Sequence, residues 1–137
     1  MKRNDGLFPG PRAFLVSGYD PDQLTALRQF LADIGYGDAP VKPCTAAQIG
    51  HPLEKALSED TEGVPLGQGK LPYALVFSGL SVSDVHAVMD RFSRTGLPRP
   101  IFATTTPTNL TFTVKTLLIH LLEEQKMARG AAGAAAE

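Results

Sequence analysis

The chain repeats itself. A shift of 61 positions lays the segment opening "FLVSGYDPDQL" on the one opening "LVFSGLSVSDV", carrying Ser17-Gly18 onto Ser78-Gly79 and Gly35 onto Gly96. In the same register Leu24 meets Val85, Leu27 meets Val88, Leu31 meets Phe92, and Cys44-Thr45 falls on Thr105-Thr106. This restricts the fold sharply, because both halves must form the same small unit and the two units must share a core. A chain of 137 residues can build one domain with a proper core but is short for two ordinary ones.

Each half reads strand, helix, strand, helix. "AFLVSG" and "YALVFSG" are short apolar runs, rich in β-branched and aromatic residues and ending at glycine, which suits buried strands. Helices follow at once. Asp20 is placed to cap the first, with Pro21 at its first position and Gln23 three residues after the cap; Ser81 and Asp84 fill the same roles in the second half. The apolar stripes Leu24, Leu27, Leu31, Ile34 and Val85, Val88, Met89, Phe92 each fall on one helical face. Gly35 and Gly96 are placed to end the helices with positive φ.

Second strands are predicted over Ala39–Cys44, where Pro40 and Pro43 point to a sheet edge, and over Pro100–Thr104. Closing helices are predicted over Ala46–Leu57, broken near "GHP" at 50–52, and over Leu110–Lys126. The predicted fold is therefore an internally duplicated α/β domain, (βαβα) twice over. It has four mostly parallel strands in right-handed βαβ units, helices packed on them, and pseudo-twofold symmetry. Residues 1–11 form an N-terminal arm. A single domain spans 12–127, built from repeats at 12–57 and 72–127 joined by a mobile loop at 58–71, and 128–137 form a flexible tail. The strand order does not follow from the sequence.

Thirteen basic residues against fourteen acidic ones leave no net field to steer nucleic acid. The single cysteine, Cys44, excludes an internal disulfide and a multi-cysteine zinc site. No apolar stretch approaches the roughly 20 residues needed to cross a bilayer, and "MKRNDGLFPGPR" has no apolar signal core. No metal or cofactor is expected. His51, His86 and His120 show no metal-ligand spacing, and "GxSxG" is absent, so Ser17-Gly18 and Ser78-Gly79 are not nucleophile elbows. Cys44 opens a helix N-terminus, a setting that lowers a thiol pKa.

The stretch "IFATTTPTNLTFT" at 101–113 has two readings. In a parallel sheet the turns at strand C-termini and the helix N-termini beside them accept anions, and Gly18, Gly79, Thr105, Thr106 and Asn109 would then hold a small anion or nucleotide. Equally, Thr and Asn are ordinary helix caps, and the turn has neither a Lys or Arg nor the phosphate-loop spacing.

The second half, "YALVFSG…LPRPIFATTTPTNLTFTVKTLLIHLLEEQK", resembles a small α/β family of unknown function. The features that carry the resemblance are the strand ending at Gly79, the helix ending at Gly96, the strand into "ATTTPTN" and the leucine-rich closing helix. The resemblance implies a non-catalytic accessory factor that binds other proteins, with photosystem I assembly as one setting. The place implied is the chloroplast stroma for a processed chain, or otherwise the bacterial cytoplasm. It supplies no catalytic residues. From the apolar width of the last helix, Phe112, Ile119 and Met127 are the candidate partner contacts, and anion or nucleotide binding is the alternative function.

Overall fold

In a computed structural model, residues 7–45, 49–58 and 72–136 are described, 128–136 through their backbone alone. Residues 1–6 of the arm, the predicted helix start at 46–48, the crossover at 59–71 and residue 137 lie outside the described residues. Strands β1 (Ala13–Ser17), β2 (Val41–Pro43), β3 (Ala74–Ser78) and β4 (Ile101–Thr104) form one sheet in the order β2-β1-β3-β4. β1 runs parallel to β2 and β3 parallel to β4, but β1 and β3 meet antiparallel at the centre. The sheet is thus mostly parallel, with one reversal in the middle.

The registers keep the 61-residue shift. Phe14 lies beside Val41 and Leu75 beside Phe102; Leu15 lies beside Lys42 and Val76 beside Ala103. At the centre, Leu15 pairs with Val76, the residue that the shift assigns to it.

The two central strands are buried along their whole length, so their alternating side chains feed two cores, as expected for strands covered on both faces. Phe14, Val16, Leu75 and Phe77 point to one face, against α1 (Pro21–Leu31) and α3 (Val82–Arg91). Ala13, Leu15, Ala74 and Val76 point to the other, against α2 (Leu53–Ser58) and α4 (Val114–Ala136). The expected stripes supply the first core: Leu24, Leu27, Leu31, Val88 and Phe92 are almost wholly buried, with Phe30 and Phe92 edge to face at 6.0 Å. Each such side chain stabilises by about 1.5–3 kcal/mol through burial alone.

Both helix starts are the predicted capping boxes. The Asp20 carboxylate accepts from Gln23 N–H at 2.8 Å while the Gln23 side chain accepts from Asp20 N–H; Ser81 and Asp84 do the same. Gly96 has φ +71° and ends a 3₁₀ turn over Phe92–Thr95, whereas Gly35, at φ +102°, interrupts a π-helical segment over Ala32–Tyr36.

Two expectations need correction. Among the described residues of the helix predicted over 46–57, the helix begins at Leu53, just after the expected break at 50–52, where Pro52 bridges to Thr113 and Leu53 N–H donates to the Phe112 carbonyl, tying that segment to the start of α4. The helix predicted from Leu110 begins as a separate 3₁₀ turn, Asn109–Thr111, with α4 proper from Val114. The backbone of α4 is helical to Ala136, in line with the high helix propensity of alanine.

Candidate functional site

The reversal between β1 and β3 separates the residues expected to form one anion site. Gly18 follows β1 and Gly79 follows β3, so they lie at opposite ends of the sheet, with Thr105 at the Gly79 end beside β3. Each glycine sits where another stretch of backbone crosses it closely. Gly18 has φ +92°, and a Cβ there would lie 2.9 Å from Pro72 O and Tyr73 Cα. At Gly79, with φ +68°, a Cβ would lie 2.7 Å from Arg12 N. Their need is for a close chain crossing, which only a residue without Cβ permits.

The space at the Gly79 end is filled by the chain's own N-terminal arm. Phe8 N–H donates to the Leu80 carbonyl at 2.8 Å, and the Ser78 and Thr105 hydroxyls both donate to the Pro9 carbonyl. Thr105 is completely buried. Thr106 and Asn109 bond reciprocally: Thr106 N–H donates to Asn109 Oδ1 at 2.7 Å, and Asn109 N–H to Thr106 Oγ1 at 3.0 Å. Asn109 Nδ2 then donates to the Thr104 carbonyl at 3.0 Å. Thr106 N–H, Asn109 N–H and Asn109 Nδ2 are thus engaged within the turn, which is the geometry of a cap.

What the structure does bring together is the outer side of β4 and the flank of α4. A cavity of about 380 Å³ there is lined by Thr104, Thr106, Asn109, Phe112, His120 and Glu124, over a floor of Leu117 and Leu121. Phe112 meets His120 edge to face at 5.2 Å. Its position is set by the backbone, through Phe112 O to Leu53 N–H and Val114 N–H to His51 O. Two anion candidates, Thr106 and Asn109, thus share a wall with one partner candidate, Phe112. Met127 lies seven residues beyond His120, hence on the same side of the helix; it is 74% exposed. Ile119, 47% exposed, is turned further outward by helical spacing.

The two sheet edges differ. In β2, Cys44 N–H donates inward to Val16 O, so Val41 and Pro43 face outward by alternation. Pro43 has no N–H to offer, and the outward Val41 carbonyl accepts from the Arg28 guanidinium at 3.2 Å. These are two devices that blunt an edge. In β4, Ile101 and Thr105 N–H donate inward to Tyr73 O and Phe77 O, so Phe102 and Thr104 face outward. The shift of 61 places Met89 where the first half has Arg28 and Thr104 where it has Pro43. Phe102 N–H and C=O and Thr104 N–H consequently meet no partner among the described residues. This open edge escaped the sequence reading; its signal was the absence of proline inside the second edge strand, which becomes meaningful only once the strand order is known.

The remaining chemistry is structural. Cys44 is buried, and burial pushes its thiol up to about 11. That corrects the expectation of a lowered thiol pKa: loss of hydration outweighs any helix-terminus field. Burial would raise the Asp84 carboxyl, but hydrogen bonds from Ser81 N–H at 2.9 Å and the Tyr36 hydroxyl at 2.7 Å, with Arg12 nearby, bring it below the ordinary carboxylate value. Burial, helped by the same contact, pushes the Tyr36 phenol up to about 12. Among the described residues no group of three or more His, Cys, Asp or Glu side chains is placed to hold a metal ion, and no helix is long and apolar enough to cross a membrane.

Residues 73–127, from just before β3 to Met127 of α4, match a family described as a domain of unknown function (DUF3783). The matched stretch contains β4, the cavity and all three partner candidates. Comparison with curated proteins and with solved structures gave no match.

Proposed function

We propose that this chain is a non-catalytic protein-binding module, an accessory or assembly factor whose contact surface is the outer side of β4 and the adjoining flank of α4. The observation that carries the reading is the open edge: backbone donors and an acceptor at Phe102 and Thr104 beside a half-apolar cavity, with Met127 exposed on the cavity side of α4 and Ile119 exposed on its outer face. Such an edge is the usual seat for an added strand, with a neighbouring groove giving side-chain specificity. Small-anion or nucleotide binding has less behind it, since Thr106 N–H and the Asn109 side chain are engaged with each other. Nothing in the fold or the comparisons speaks to a plastid or a photosystem, so the proposal names no particular assembly.

The two halves are further read as copies of one βαβα unit related by a pseudo-twofold axis at the Leu15–Val76 pair. The shared registers and capping boxes support that reading.

The test is capture of the tagged protein from its own cells, after detergent treatment of membranes, beside the variants Ile119→Asp and Met127→Asp. A stoichiometric protein partner that either substitution releases is the expected result. Recovery of a free monomer alone, or of a different protein as partner that is indifferent to both substitutions, would sink the reading.

A further inference from the structure

The outward side of β4 is complementary to itself, and we propose that it pairs antiparallel with β4 of a second copy of this chain, joining two sheets across a twofold axis. This rests on the protein-binding reading and names the occupant of the same face. Peptide units are planar and trans, with no cis bond among the described residues. Because Ile101 and Thr105 N–H point inward, the Pro100 and Thr104 carbonyls, on the other side of those same peptide units, point outward. The outward groups in order are therefore Pro100 C=O, Phe102 N–H and C=O, and Thr104 N–H and C=O.

With Phe102 placed opposite Phe102 of the second copy, the two residues exchange both backbone hydrogen bonds. Thr104 N–H then meets the Pro100 carbonyl across the axis, twice by symmetry. The one donor missing from this ladder is the N–H that Pro100 lacks. It would have faced the Thr104 carbonyl, which already accepts from Asn109 Nδ2. Each gap falls opposite a group that needs nothing.

The helices fit the same axis. α4 covers the β4 side of its face and α2 the β1 side. With strands about 4.8 Å apart, two copies of α4, each centred over its own β3–β4 pair, lie two spacings or about 10 Å from each other, an ordinary helix packing distance. They run antiparallel, bringing their cavity-facing flanks together. His120 and Glu124, both lining that flank, are one turn apart, so an imidazole donor of one copy faces the carboxylate of the other. The β2 edge cannot substitute, because Pro43 and Arg28 occupy the positions that would pair.

Sedimentation equilibrium of the purified full chain over a dilution series tests the proposal, with far-ultraviolet circular dichroism to confirm folding. The unaltered chain is expected to associate to a dimer and no further. Thr104→Pro, which imports the blunting residue of the other edge, should leave a folded monomer. Where that variant fails to fold, His120→Glu decides: it sets like charges across the axis and should weaken dimerisation at least about tenfold, and adding Glu124→His should restore it. A purified chain that stays monomeric throughout, or a folded dimer indifferent to these substitutions, overturns the proposal. A monomer that still captures another protein in an Ile119-dependent way would overturn the second copy alone and leave the protein-binding reading standing.

Discussion

The two halves of the sheet agree in their interior and differ at their rims. Inside, Phe14–Val41 and Leu75–Phe102 share a register, Asp20 and Ser81 cap equivalent helices, and Gly18 and Gly79 let equivalent chain crossings through. At the rims, Arg28 and Pro43 close the first half where Met89 and Thr104 leave the second open. Interior positions answer to one shared packing problem, so they stay alike. An edge answers only to what lies beyond it, and here the two edges differ in the backbone groups they leave outward.

The largest effect should come from the glycines. Gly18→Ala and Gly79→Ala each force a Cβ into backbone at under 3 Å while φ stays positive, and each should lower stability by about 2–4 kcal/mol in urea denaturation. Similar losses would sharpen the likeness of the halves, and tolerance at one glycine alone would break it. Gly96→Ala, with open space around the added methyl, should cost only about 1 kcal/mol.

Caps come next. Asp20→Ala and Ser81→Ala should each cost about 1 kcal/mol, measured by the same denaturation. The second cap also carries a pH signature. Asp84 has its pKa lowered in the folded state by hydrogen bonds from Ser81 and Tyr36. Its contribution is therefore fully present above the unfolded carboxylate value, near 4, and is lost as pH falls through the lower folded value. Asp84→Asn should flatten the acid limb of the stability profile relative to the unaltered chain; an unchanged limb would refute the assignment.

The smallest effect on stability, within about 0.5 kcal/mol, is expected from opening the blunted rim with Arg28→Met and Pro43→Thr together. Its consequence should lie in association. With both edges open, sedimentation should show species beyond the dimer. Absence of any larger species would mean that something other than Pro43 and Arg28 protects the β2 edge.

Much of the interior was legible in the sequence because it is governed by local rules. Leu24, Leu27 and Leu31 recur with the helical period, Asp20 and Gln23 stand at cap spacing, and Gly79 ends an apolar run. Each can be read within a dozen residues. The paired prolines near β2 even announced an edge. The candidate site was less legible. The threonine turn was readable as a cap, but not the arm whose Pro9 carbonyl fills the space beside Thr105, since that contact spans most of the chain. Nor was it visible that Gly18 and Gly79 lie at opposite ends of the sheet.

The sequence by itself determined the elements, their caps and the residues that face inward, because propensity, periodicity and capping act over one or two turns. Only the tertiary structure decided that β1 and β3 meet antiparallel and that β4 ends the sheet with its Phe102 and Thr104 backbone turned outward. Strand order is set by the competition of whole faces for burial, which depends on all four strands and both helical layers at once, and no local pattern encodes its outcome.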